Sequence, residues 1–192
     1  MASKRTLFFI EVAIFTAFSL MLDLLPFLKF KLLPAGGSIS LAMLPVFIIC
    51  FRWGIKGGLL SGFLWGILQI AAGDAYILYF WQGILEYGFA FTVLGFAGLV
   101  MNQVQQAVQH KKKKAVLAYI SLGVFIGGTL RFLFHVVAGA LFFAQMAPEG
   151  IPVWLYSFLY NLSFMLPSMV ISILLLYFLF TKQPRTLIRT TF

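Results

Sequence analysis

Charge is scarce in this sequence. Of its 192 residues 10% are Asp, Glu, Lys or Arg, while 62% are hydrophobic. A soluble domain of that size carries far more charge on its surface, so the composition excludes one and requires a membrane. Acids are the rarer charge, 5 against 14 Lys and Arg. Cysteine is all but missing. Cys50 alone excludes an internal disulfide and a cysteine metal cluster, and inside its apolar run it reads as a small buried hydrophobe. The reaction motifs H-E-x-x-H, G-x-S-x-G and G-x-x-x-x-G-K-S/T do not occur either. Their absence leaves little support for a membrane hydrolase and no P-loop through which the chain could burn ATP. Neither the alternating pattern of a transmembrane barrel nor an inverted internal repeat is visible.

What is present is a set of long apolar runs, with mean hydropathy +1.01. Runs at about 8–27, 39–53, 57–73, 77–102, 115–145 and 153–181 predict an all-α integral membrane protein of six transmembrane helices, one domain over 1–192. Met1 to Arg5 before an apolar run mimics a signal peptide. Glu11 and Asp23 interrupt that run and no small-residue cleavage site follows, so it reads as a first membrane helix.

The net +9 does not point to nucleic acid, because the basic residues lie in short segments between the apolar runs. One set of ends and loops holds Lys4, Arg5, Arg52, Lys56, Lys111 to Lys114, Lys182, Arg185 and Arg189. The other holds Lys29 and Lys31, balanced by Asp74 and Glu149. The positive-inside rule makes the first set cytoplasmic, which puts both termini inside and requires an even number of helices. Lys111 to Lys114 is then a topogenic anchor that also attracts anionic membrane lipid. The Pro26 to Ser40 connection is apolar and rich in Pro and Gly. It reads either as a plain connection or as a segment folded back over the protein, hinged at Gly36-Gly37. Gly54, Gly58, Gly62 and Gly66 form a smooth stripe for close helix packing. Ala13 and Ala17 form a shorter one, for internal packing or for a partner.

Three polar stations interrupt the hydrocarbon: Glu86-Tyr87, His135, and the run Trp154, Tyr156, Tyr160, Asn161. At 1.5 Å per residue, Glu86 lies roughly 10–14 Å below the outer boundary, His135 about 15 Å and Asn161 about 12 Å. All three meet in the outer half of the bilayer. A carboxylate in lipid costs at least ~2.5 kcal/mol, so such a residue is a functional candidate by default. A carboxylate beside aromatic rings, including Phe142 or Phe143, suits a cation bearing a ring. Asn161 offers both donors and an acceptor for a ligand edge. Structural alternatives stand beside each reading. Glu86 can pair with Arg131, His135 can be an interior histidine, Trp154 and the tyrosines can be interfacial belt residues, and Asn161 can be interhelical glue. Glu11 and Asp23 read as structural or cytoplasm-proximal.

Four segments carry a family resemblance: GGSISLAMLPVFIICFRWG (36–54), LEYGFAF (85–91), LRFLFHVVAGALFF (130–143) and PVWLYSFLYN (152–161). Over nearly its whole length the chain resembles the thiamine-specific substrate-binding subunit (S component, ThiT or YuaJ type) of energy-coupling-factor vitamin transporters. The resemblance implies capture of extracellular thiamine by a non-enzymatic six-helix protein of the bacterial plasma membrane, with no metal and no cofactor. It implies binding positions at Glu86, Tyr87, His135, Tyr156 and Asn161. Phe143 stands where some relatives have a stacking tryptophan. It further implies a lid at Gly36, Gly37 and Ser38, and docking of a transmembrane coupling subunit through Ala13 and Ala17, with two ATPase subunits completing the machine. Another vitamin or a thiamine precursor is the alternative ligand. A membrane enzyme using Glu86 and His135 as acid and base is the alternative class.

Overall fold

The computed structural model describes residues 3–26, 29–31 and 37–187. Among the described residues five helices are long and apolar enough to cross a membrane: α1 (Lys4–Leu24), α2 (Met43–Ala71), α3 (Phe80–Gln109), α4 (Lys113–Phe142) and α5 (Val153–Lys182). Between α1 and α2 lie two short strands, β1 (Lys29–Lys31) and β2 (Ser38–Ser40). They pair antiparallel with Lys29 opposite Ser40. The second expected helix therefore starts later than residue 39, because Ser38 to Ser40 belong to the ribbon.

The second and third expected helices form one element, α2, interrupted at Gly54, where φ is 74° and ψ −163°. Glycine alone adopts that backbone without strain. The chain reverses there. Ser40 and Gln69, at the two ends of the element, both bond to Asp23 near the end of α1. Arg52 and Trp53, beside the break, both bond to Glu11 near its start. One arm thus runs down α1 and the other runs back. Glu11 accepts from Arg52 Nη2 at 2.6 Å and from Trp53 Nε1 at 2.5 Å, a pairing that keeps this carboxylate structural.

The returning arm packs against α3 with no side chains between them. A Cβ on Gly66 would lie 1.9 Å from the Tyr87 carbonyl oxygen, and one on Gly62 would lie 2.2 Å from that of Phe91. The stripe is internal packing. It holds the part of α3 that departs from α-geometry, a π-helical stretch Ile84–Ala90 followed by a 3₁₀ stretch Val93–Val100. The helix starts at Phe80 rather than 77 because the Gln82 side chain engages the backbone of Tyr76 and Leu78 and keeps that segment out of the helix. It continues past 102 to Gln109 through MNQVQQAVQ, in which Val104, Ala107 and Val108 are buried. That last stretch is amphipathic, and a hydropathy run ends before it.

One hydrophobic cluster runs from Leu22 to Leu187, with Phe47, Phe51, Leu94, Ile120 and Phe180 fully buried. On α1 the face Val12, Thr16, Ser19, Leu22 is buried. Ala13, Ala17, Ile14 and Phe18 face outward.

Gly66→Ala should force α2 and α3 apart and destabilise the fold by about 1–3 kcal/mol, read as a lower melting temperature in detergent. Gly88→Ala is the control, because its added methyl meets nothing nearer than 3.9 Å. It should change stability by less than about 0.5 kcal/mol.

Candidate functional site

At the end of the bundle where α1 stops, α2, α3, α4, α5 and strand β2 enclose a cavity of about 670 Å³. Glu86, Tyr87, His135, Phe143, Tyr156 and Asn161 all lie in its wall, as do Gly37 and Ser38. Gly36 lies outside the described residues. Ala13 and Ala17 are elsewhere, on the exposed face of α1.

Glu86 sits in the π-helical stretch and is held from both sides. Gln82 Nε2 donates to its Oε2. On the other side His135 Nδ1 lies 3.4 Å from its Oε1. Arg131 Nε in turn lies 3.3 Å from His135 Nε2. An arginine N–H can only donate, so His135 Nε2 accepts and the ring proton sits on Nδ1, facing Glu86. A directed chain from Arg131 through His135 to Glu86 joins α4 to α3. No direct ion pair between Arg131 and Glu86 is present among the described residues. The guanidinium instead lies over the rings of Phe91, at 4.1 Å, and Trp65, at 4.8 Å. Both rings are in the cavity wall, which gives this cation a favourable apolar seat.

The aromatic surfaces come from four elements. Tyr87 stacks on Phe91 at 5.6 Å, and its hydroxyl accepts the Tyr76 backbone N–H at 2.9 Å. Tyr76 is parallel to Phe143 at 6.2 Å, where Phe143 closes the end of α4. Tyr156 and Tyr160 are one turn apart on α5, with ring centroids 5.9 Å apart. Asn161 joins α5 to α4. Its Nδ2 donates to the Ser157 carbonyl at 2.9 Å and approaches that of His135 at 3.4 Å. Gly139 makes this contact possible, since a Cβ there would lie 2.3 Å from Ser157 Oγ.

Asp23 is structural, as expected, and it also belongs to the cavity wall, which the sequence reading did not anticipate. It lines the cavity, receiving Gln69 Nε2 and, at 3.2 Å, the Ser40 hydroxyl. The reason is direction. Glu11 belongs to the end where α1 begins, and Asp23 is in the last turn, beside the ribbon. Trp65, Gln69, Tyr76 and Arg131 also belong to the wall. Gln69 and Arg131 carried a usable signal, being polar residues inside apolar runs. Tyr76 and Trp65 did not, because aromatics are common in such runs.

Among the described residues three carboxylates, those of Asp23, Asp74 and Glu86, line this space with one guanidinium, Arg131. Among the described residues no three His, Cys, Asp or Glu come together as metal ligands would. A negatively biased cavity walled with ring faces is suited to a flat organic cation.

The sequence and the fold both match known proteins. The model of the thiamine transporter protein family Thia_YuaJ matches residues 9–188. The thiamine transporter ThiT of Bacillus subtilis (strain 168) is 42% identical over 185 residues, 96% of each chain. The thiamine transporter ThiT of Lacticaseibacillus paracasei is 31% identical, over 95% of this chain and 90% of its own. A solved structure of ThiT from Listeria monocytogenes superposes with a TM-score of 0.91 at 31% identity, covering 97% of this chain and all of that one.

His135→Ala should leave Glu86 Oε1 and Arg131 Nε without a partner. Ligand-free stability is expected to fall by about 1–3 kcal/mol, measured by thermal unfolding in detergent.

Proposed function

Because this chain belongs to the Thia_YuaJ family of thiamine transporter proteins, we propose that it captures extracellular thiamine in the cavity around Glu86. It is a multi-pass cell-membrane transport protein and not an enzyme. Thiamine is a permanent cation with two flat rings, a thiazolium and an aminopyrimidine. The observation that carries the assignment is the Glu86 carboxylate, held by Gln82 and His135 among ring faces. In this reading Glu86 balances the charge of the vitamin. Tyr87, Tyr156 and Phe143 stack on its rings, and His135 and Asn161 meet its polar edges. The β1–β2 ribbon, with Gly37 and Ser38 in the cavity wall, serves as the lid.

The finer reading is an S component of an energy-coupling-factor transporter, a single six-span domain with both termini in the cytoplasm. Counting the two arms of α2 separately supports six traverses. Phe180 of α5 meets Phe51, beside Arg52, so α5 ends at the level where α1 begins. The chain has no motor of its own, and delivery inward needs a transmembrane coupling subunit and two ATPase subunits. The exposed small-residue face around Ala13 and Ala17 is where the coupling subunit docks, since small residues let helix backbones approach closely.

Titration of the purified protein with thiamine, followed by quenching of tryptophan fluorescence, tests the assignment. Trp65 in the cavity wall supplies a reporter. Saturable nanomolar binding is expected, strongly weakened in Glu86→Gln. Asn161→Ala should weaken it by about 1–3 kcal/mol. A folded protein that does not bind thiamine would overturn the assignment. Ala13→Trp should leave binding intact and abolish uptake in cells, and normal uptake would remove that face from docking.

A further inference from the structure

Gln82 is a fully buried amide that is not part of the cavity wall. An amide placed inside a membrane protein is unfavourable unless all of its hydrogen-bonding groups are used. Here they are. Nε2 donates to the Tyr76 carbonyl at 2.8 Å and to Glu86 Oε2. Oε1 accepts from the Leu78 backbone N–H at 2.9 Å and from that of Tyr79 at 3.4 Å. The orientation is unambiguous, because a carbonyl and a carboxylate cannot donate while a backbone N–H cannot accept. Three of the four contacts are to backbone in residues 76–79, so the amide is anchored to main chain. The fourth reaches Glu86, one turn ahead on α3. Tyr87 closes the arrangement by accepting the Tyr76 N–H.

We propose that Gln82 is a positioning residue for the cation site. Anchored on the backbone of Tyr76, Leu78 and Tyr79, it fixes one oxygen of Glu86 and thereby sets the direction in which the other, Oε1, faces His135 and the ligand. Gln82 touches no ligand itself and acts through Glu86. This rests on the thiamine-capture reading. Packing alone does not explain the residue, since a methionine fills the same volume without a desolvation cost.

The test is a double-mutant cycle on the full-length protein in detergent, with thiamine affinity and melting temperature measured for each variant. Gln82→Met keeps the volume and removes every hydrogen bond. It should weaken thiamine binding by roughly 10- to 100-fold. In a Glu86→Ala background, titrated up to millimolar thiamine, the same change should cost less than about threefold, because the residue through which it acts is gone. An equal loss in both backgrounds would reduce Gln82 to a structural role, as would unchanged affinity in Gln82→Met. Should Gln82→Met fail to fold, Gln82→Glu keeps the acceptor for Leu78 and Tyr79 and sets a second carboxylate against Glu86. Weakened binding is then expected, and wild-type affinity would overturn the proposal. Failure of the wild-type protein to bind thiamine is a separate result, which removes the function and not the contact.

Discussion

A carboxylate held inside a hydrocarbon layer is the constraint around which the cavity end of this bundle is arranged. Isolated, the Glu86 anion would be expelled or neutralised. It is instead held between the amide of Gln82 on its own helix and the imidazole of His135 on α4, which is oriented in turn by Arg131. That chain of donors crosses from α4 to α3. Its far end, the Arg131 guanidinium, is seated on the faces of Phe91 and Trp65. The position of the anion thus determines which helices must touch and where aromatic residues must lie.

Touching at that distance has its own requirement. The π-helical stretch bearing Glu86 and Tyr87 lies directly on the returning arm of α2. That contact is possible only because position 66 carries no side chain, and positions 62 and 58 do the same for Phe91 and Gly95 further along α3. A π-helical turn is rarely stable alone and occurs chiefly at functional sites. Here the flat glycine face on one side and the Gln82 contacts on the other hold it. Fold and site depend on each other at this seam.

Much of this was legible in the sequence, for a physical reason. In an apolar chain every polar residue is an exception with a cause, and Glu86, His135 and Asn161 stand out for that reason. Their common depth follows from helix rise alone. The spans at 115–145 and 153–181 came close to α4 and α5, because helices that cross lipid advertise themselves by hydropathy. The reversal at Gly54 falls between the runs 39–53 and 57–73, where the sequence separates two helices, although the glycine itself reads only as one of a stripe of four. Other features left no such trace. The β1–β2 ribbon comes from backbone pairing that its composition does not announce. The extension of α3 to Gln109 is polar on one face, so it fell below the hydropathy signal. The place of Asp23 in the cavity wall left no trace either, because it depends on Ser40 and Gln69, which reach it from two other elements. Gln82 was overlooked for the same reason, since its partners are mostly main-chain atoms of residues 76–79.

The short descending arm of α2 has a geometric consequence. From Met43 to Trp53 it rises about 16 Å at 1.5 Å per residue, roughly half of the ~30 Å hydrocarbon layer. The returning arm, Ile55 to Ala71, rises about 25 Å, yet both arms reach the level of Asp23, because the chain above Met43 is extended rather than helical. Ala42 and Met43, at the top of the short arm, lie in the cavity wall. One side of the cavity is therefore walled by extended chain, Ser38 and Ser40 leading into Ala42, and that side is held by backbone pairing and not by helix packing.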